Sequence, residues 1–228
     1  MIKEKNKPGV VSLSLIVVSL LFVAAVFLFG FIADEIVLEK EDHFDTSVFQ
    51  FFAQYATPAV TQAAKAITFF GSTYFLLPAY SLLVLYFLWK RKWHYAIDIA
   101  WVGISSTVIL RVLKNVFQRE RPEHPIFSAL TNYSFPSGHA LSSFIFCSVL
   151  IYIVWNGKWK KSLKWLVSVL LFLFAVSIGI SRIVLRYHYA SDVLAGMCLG
   201  FVWAVFSLWL LKKMRRKATH KEQQEVSK

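Results

Sequence analysis

The chain has 228 residues, 57% of them hydrophobic, and a formal net charge of +12 at pH 7. Several apolar runs of about 20 residues exclude an ordinary soluble domain, because stretches of that length read as membrane spans. The positive charge does not argue for nucleic acid, since the Lys and Arg sit at the ends of the apolar runs and in the tails rather than on one soluble basic face.

In chain order, the N-terminus is basic (Lys3, Lys5, Lys7) and then apolar from Val10 to Ala33. That run is too long for the apolar region of a secretion signal and lacks a clear small-residue cleavage site. It is expected to persist as a first span, roughly residues 10–33. Residues 34–71 come next. Asp34, Glu35, Glu39, Glu41, Asp42 and Asp45 make their first part acidic, and Phe44, Val48, Phe51, Phe52 and Tyr55 recur at helical spacing in the second. Pro58 and Gly71 break the pattern. Such a segment reads as an amphipathic helix in the membrane interface or, equally, as a helix packed on the bundle; the interfacial placement is the expectation adopted. Five further spans follow at about 72–89, 94–114, 138–156, 163–184 and 190–211, with a basic tail over 212–228. Eight Trp and nine Tyr suit interfacial belts. Cys147 and Cys198 fall mid-span and read as small apolar residues. The expected fold is all-α, a single integral-membrane domain built as a polytopic bundle of six transmembrane helices.

The positive-inside rule sets the orientation. Lys3, Lys5 and Lys7, then Lys90, Arg91 and Lys92, then Lys158, Lys160, Lys161 and Lys164, and finally the tail put most of the 25 Lys and Arg on one side. Both termini are therefore expected in the cytoplasm of a cell whose plasma membrane the chain crosses. The acidic stretch and the remaining polar islands then face outward.

Three islands interrupt the apolar helices at that outer side: Lys114 with Arg121-Pro122, then Pro136-Ser137-Gly138-His139, then Ser181-Arg182, His188 and Asp192. A charge at membrane depth costs about 2.5–3.5 kcal/mol on insertion scales and marks function by default. Lys114 and Arg121 are seven apart, so a helix ended by Pro122 would aim both the same way; snorkelling to water is the bland reading. Ser137 is a good N-cap, Gly138 permits close backbone approach, and the first turn beyond them is a ready anion site; an ordinary cap with an interfacial His139 is the alternative. His188 and Asp192 are four apart and would share a helix face. A carboxylate there fixes the imidazole tautomer and steadies the imidazolium, and the imidazole can itself be a nucleophile. Arg182 brings a planar fork suited to phosphate. The bland reading is a His–Asp bond locking a helix start. His139, His188 and Asp192 could in principle hold zinc. The cations Lys114, Arg121 and Arg182 at the same mouth would repel it, so neither metal nor cofactor is expected.

The ordered pattern Lys-x6-Arg-Pro, Pro-Ser-Gly-His, Ser-Arg-x5-His-x3-Asp resembles the type 2 phosphatidic acid phosphatase family over about residues 110–200, with all three islands at full spacing. Within it, the resemblance is to the bacterial members acting on phosphatidylglycerol phosphate or undecaprenyl pyrophosphate. It implies that His188 attacks phosphorus, Asp192 orients it and His139 protonates the leaving alkoxide. It further implies that Lys114, Arg121, Arg182, Ser137 and the backbone at Gly138 hold the phosphoryl oxygens. The expected partners are a membrane lipid phosphate and the bilayer, with no obligatory protein partner. Two readings compete. A lipid or anion transporter would use the basic mouth for binding only, but binding does not need the two histidines. Vanadium-dependent haloperoxidases share the islands by resemblance, yet are soluble.

Overall fold

The computed structural model describes residues 13–38, 43–123, 125–126 and 131–226. These residues form a helical bundle. Its helices are α1 (Leu13–Phe31), α2 (His43–Ala53), α3 (Pro58–Phe69), α4 (Thr73–Trp89), α5 (Trp93–Phe117), α6 (Gly138–Asn156), α7 (Lys161–Val184) and α8 (Ala190–Val226). A π-helical turn, Ile32–Leu38, continues α1.

Local chemistry sets several boundaries. α3 starts at Pro58, whose missing N–H costs nothing at a first helical position, and the Thr57 hydroxyl accepts from Val60 N–H at 3.3 Å. α6 starts beyond Ser137, whose hydroxyl accepts from Ala140 N–H at 3.4 Å. α8 does not stop where its apolar stretch ends near Leu211. It runs on through the basic tail, which is rich in Lys, Arg, Glu and Gln, all good helix formers.

Six segments are long and apolar enough to cross a membrane: Leu15–Glu35, Pro58–Trp89, Trp93–Phe117, Gly138–Asn156, Lys161–Val184 and Ala190–Arg215. The second takes in α3 as well as α4, with the turn at Phe70–Ser72 between them. Large apolar side chains such as Leu20, Phe27, Leu85 and Val116 face outward. A bilayer solvates them where water would not.

At the centre, α6 packs against α7 and α8. Gly196 and Gly200, four apart on α8, allow that approach. A Cβ on Gly196 would lie 2.7 Å from the Ser137 carbonyl oxygen, and one on Gly200 would lie 3.2 Å from that of Leu141. Small residues at this spacing are how membrane helices bring their backbones close. α1 lies on α8, α3 on α7, and α2 on both α7 and α8. The α2 side chains Val48, Phe49 and Phe52 pack on Ala140, Ile183, Ala190 and Val193, while Phe44, Phe51 and Tyr55 point outward. The segment expected at the interface is thus amphipathic in space, with one face on the bundle and an aromatic face away from it.

Because α5 to α8 alternate in direction, the C-terminal ends of α5 and α7 meet the N-terminal ends of α6 and α8. The three islands gather at that end. At the opposite end Asp98 on α5, Tyr152 on α6 and Arg215 on α8 form a polar clasp, in which Asp98 accepts from Arg215 at 2.8 Å and from the Tyr152 hydroxyl at 3.1 Å.

Candidate active site

His188 lies in the short connection between α7 and α8 and is almost fully buried, at 1% exposure. Its Nδ1 is 3.4 Å from Asp192 Oδ2 and 3.3 Å from the Ser134 hydroxyl. Its Nε2 faces the Arg121 guanidinium at 3.3 Å. The carboxylate assigns the ring proton to Nδ1 and leaves the Nε2 lone pair on the cationic side. Burial pushes the His188 pKa down to about 3, outweighing the opposing pull of Asp192. The ring therefore stays neutral, the form that can attack.

Asp192, in the first turn of α8, is fixed from several directions. Oδ2 accepts from Tyr189 N–H at 3.0 Å and from the Ser134 hydroxyl, and Oδ1 accepts from Arg119 at 2.8 Å. Arg119 also donates to Asp45 of α2 at 2.8 Å and lies over the Tyr189 ring at 4.1 Å. Arg119, Asp45 and Ser134 were not singled out from sequence. Arg119 looks interchangeable with its basic neighbours, and Asp45 is 74 residues from it. The one available hint was an Arg two positions before Arg-Pro.

Lys114, in the last turn of α5, donates to the Tyr133 carbonyl and, at 3.1 Å, to that of Ser134. Arg121 donates to the carbonyls of Asn132 at 2.7 Å and Tyr187 at 2.6 Å. The two cations converge, but not by sharing a helix face as the spacing suggested. α5 ends at Phe117, and Gln118 turns left-handed at φ 46°. Pro122 disfavours a helical Arg121, so the chain leaves the helix early and loops back. Arg182, in the last turn of α7, donates to the Thr68 hydroxyl at 2.9 Å and stacks over Tyr187 at 4.3 Å. Its buried Nε has no hydrogen-bond partner among the described residues.

His139 opens α6 within electrostatic reach of Arg182, His188, Arg121 and Lys114. The α3–α4 turn backs it, since a Cβ on Gly71 would come within 3.0 Å of His139 Cδ2 and 2.6 Å of Ile178 Cγ2. Ser137 spends its hydroxyl on the α6 cap, and its N–H donates to the Asp192 carbonyl at 3.0 Å. Gly138 follows it directly, at the same helix start. His124 and residues 127–130 lie outside the described residues. Among the described residues, no three His, Cys, Asp or Glu side chains gather as they would around a metal ion.

A carboxylate-oriented imidazole with Arg121 and Arg182 on its other side, at one end of a six-span bundle, has the chemistry of a membrane-embedded phosphatase. Residues 92–216 match the PAP2 superfamily. The phosphatidylglycerophosphatase B of Bacillus subtilis is 29% identical over 64% of this chain and 72% of its own length. An undecaprenyl-diphosphatase of Sulfolobus acidocaldarius is 27% identical over 58% of this chain and 61% of its own length. The crystal structure of a transmembrane PAP2 type phosphatidylglycerolphosphate phosphatase from Bacillus subtilis superposes with a TM-score of 0.71 at 24% identity, covering 86% of this chain and 96% of that one. The chain belongs to the PAP2 superfamily.

Proposed function

We propose that the protein removes phosphate from a membrane lipid, cutting a phosphate monoester or pyrophosphate through a phosphohistidine on His188. The observation that carries this is the orientation of His188, with Nδ1 on Asp192 and Nε2 toward Arg121. The names of the similar proteins support phosphatidylglycerol phosphate and undecaprenyl pyrophosphate as substrates. Phosphatidic acid presents the same headgroup chemistry.

Lys114, Arg121 and Arg182, with the backbone N–H at Gly138 in the α6 start that Ser137 caps, hold the phosphoryl oxygens. Arg182 Nε, buried and unpartnered among the described residues, is a donor suited to one of them. His188 Nε2 attacks phosphorus. The Nε2–P bond forms as the bond from phosphorus to the lipid oxygen breaks, and His139 passes its proton to that oxygen. A bound phosphate is the anion that favours the protonated His139 ring. Asp192 steadies the cationic His188 ring. Water then cleaves the Nε2–P bond, with His139 now accepting its proton, and phosphate leaves. The fixed cations stabilise the charge that metal ions meet in other phosphoryl-transfer enzymes.

The distribution of Lys and Arg supports cytoplasmic termini and an outward-facing site in the plasma membrane. The test is phosphate release by the purified protein from a panel of lipid phosphates, with excess chelator present, beside the His188→Ala variant. Release by the wild type together with loss in the variant is expected. Release by the variant would refute the nucleophile.

A further inference from the structure

Asp45 sits on α2, outside residues 92–216, yet its polar contacts among the described residues lead to the reaction centre. It is 1% exposed. Oδ1 accepts from Ser191 N–H at 2.8 Å, and Oδ2 accepts from Ser191 Oγ at 2.5 Å and from Arg119 at 2.8 Å. The other arm of Arg119 reaches Asp192 Oδ1 at 2.8 Å. The sequence of contacts runs carboxylate, guanidinium, carboxylate, imidazole, from Asp45 to His188.

Docking α2 does not require this arrangement. Val48, Phe49 and Phe52 already bury its apolar face against α6, α7 and α8. A buried ion pair is a poor way to add stability, because desolvation costs about as much as the attraction returns. The charges have a clearer consequence for Asp192. Paired with Arg119 alone, Asp192 would form a neutral unit and offer little net field to a cation on His188. Two carboxylates around one guanidinium leave a net charge of minus one beside the ring. The energetic demand appears when the ring becomes cationic, as Nε2 bonds to phosphorus.

We propose that Asp45 is a positioning residue for the reaction: through Arg119 it holds Asp192 in place and restores the negative charge that stabilises the phosphorylated His188 ring. This rests on the phosphohistidine reading above. It extends the working site beyond the family motifs, onto the helix that borders the mouth. Burial lowers the Arg119 pKa, but Asp192 and Asp45 outweigh it and hold the guanidinium above its ordinary value. Arg119 therefore remains a fixed positive link.

Asp45→Asn keeps the shape and removes the charge. Its expected effect is a loss of at least tenfold in kcat with KM unchanged, a matching fall in the rate of phosphoenzyme formation in a single turnover, and an unfolding midpoint in detergent within a few degrees of wild type. Asp45→Glu should recover much of the turnover. Val48→Ala, which loosens the same helix without touching a charge, should lower the unfolding midpoint and spare kcat. In an Arg119→Gln background, Asp45→Asn should cost little more, because its path to Asp192 is already cut. Any of four results overturns the proposal: wild-type kcat in Asp45→Asn, collapse of its fold, equal losses in the Asn and Glu variants, or a kcat loss in Val48→Ala as large as in Asp45→Asn. His188→Ala belongs in the same series. If it is active, the phosphohistidine reading itself fails; if it is dead while Asp45→Asn is normal, only the role of Asp45 fails.

Discussion

His139 and His188 are the same side chain in two settings, and in the proposed mechanism the settings divide their labour. His188 is turned by Asp192 and Ser134 so that Nε2 faces Arg121. His139 has Arg182, Arg121 and Lys114 in reach and starts a helix whose N–H groups suit an anion. If His139 serves only the leaving group, an activated aryl phosphate should partly rescue His139→Ala, because a good leaving group needs little acid help. His188→Ala should stay inactive with either substrate. Assays with lipid and aryl substrates on both variants decide this, and rescue of His188→Ala would reverse the roles. Asp192→Asn should keep phosphate binding and lose turnover heavily; the comparable change in a serine protease costs about 10⁴ in rate. A variant close to wild type in kcat would refute the dyad. The buried His188 also couples stability to pH. Its folded pKa, about 3, lies below the unfolded value. As pH falls from near 6.5 toward 3, the unfolded chain takes up a proton that the folded chain refuses, so stability drops through that window. The groups facing the ring are Asp192, Arg121, Arg182, Ser134 and His139. The fall in unfolding midpoint between pH 7 and pH 4 should be shallower in His188→Asn than in wild type. Equal slopes would show that His188 does not contribute.

Among the elements, α8 carries the largest share of the arrangement. It brings Asp192 to the site, Ser191 to Asp45 and Gly196 to the back of the α6 N-terminus. Gly196 and the site are linked directly: the Ser137 carbonyl that a Gly196 Cβ would meet at 2.7 Å belongs to the residue whose N–H bonds the Asp192 carbonyl. Gly196→Ala therefore has to separate α6 from α8 at the catalytic end. It should cost about 1–3 kcal/mol, as overpacking does, and lower kcat with it. Gly200→Ala meets its neighbours at 3.2 Å and should be milder. Thermal unfolding in detergent with parallel phosphate release gives the order, and a milder Gly196→Ala would contradict this packing. The same elements show what the sequence could and could not convey. His188–Asp192, Arg182 and His139 were readable because each island is local and its residue types are rare inside apolar spans. The meeting of Lys114 and Arg121 was anticipated for the wrong reason, since helical spacing was assumed through a stretch that Gln118 and Pro122 take out of the helix. Asp45, Arg119 and Ser134 were not readable as neighbours of the site, because their contacts with it form only once α2, the 132–134 loop and α8 are folded together. The Gly196-x3-Gly200 pair was in plain view, but it marks close packing only when a partner helix is known.

At the scale of the whole molecule, the two ends of the bundle carry different polar machinery. One end holds Lys114, Arg121, Arg182, His139, His188 and Asp192. The other holds the Asp98–Tyr152–Arg215 clasp. The Lys and Arg outside the site favour the clasp end: Lys90 to Lys92 lie between α4 and α5, Lys158 and Lys160 between α6 and α7, Lys161 and Lys164 at the start of α7, and Lys212 and Lys213 near Arg215 on α8. The acidic residues Asp34, Glu35 and Asp45 lie toward the site end. Short basic loops stay in the cytoplasm during insertion, and acidic residues contribute little to that choice. The clasp end should therefore be cytoplasmic, and the mouth should open to the outer leaflet, where a lipid headgroup could reach it without crossing the bilayer. Reporter fusions after Lys92 and after Glu123 separate the two arrangements. A reporter active only outside the cell should be silent after Lys92 and active after Glu123. The opposite pattern would place the site in the cytoplasm and restrict the substrate to inner-leaflet lipids. Moving charge gives a second check on the same point. Replacing Lys90, Arg91 and Lys92 with Gln removes the first internal cluster that borders the motif-bearing half. If those three cations guide insertion, a fraction of the protein should then insert inverted, and phosphate release from lipid supplied to intact cells should fall by that fraction. Unchanged release in that variant would mean that the remaining basic segments, including the α8 extension, set the orientation without the α4–α5 loop.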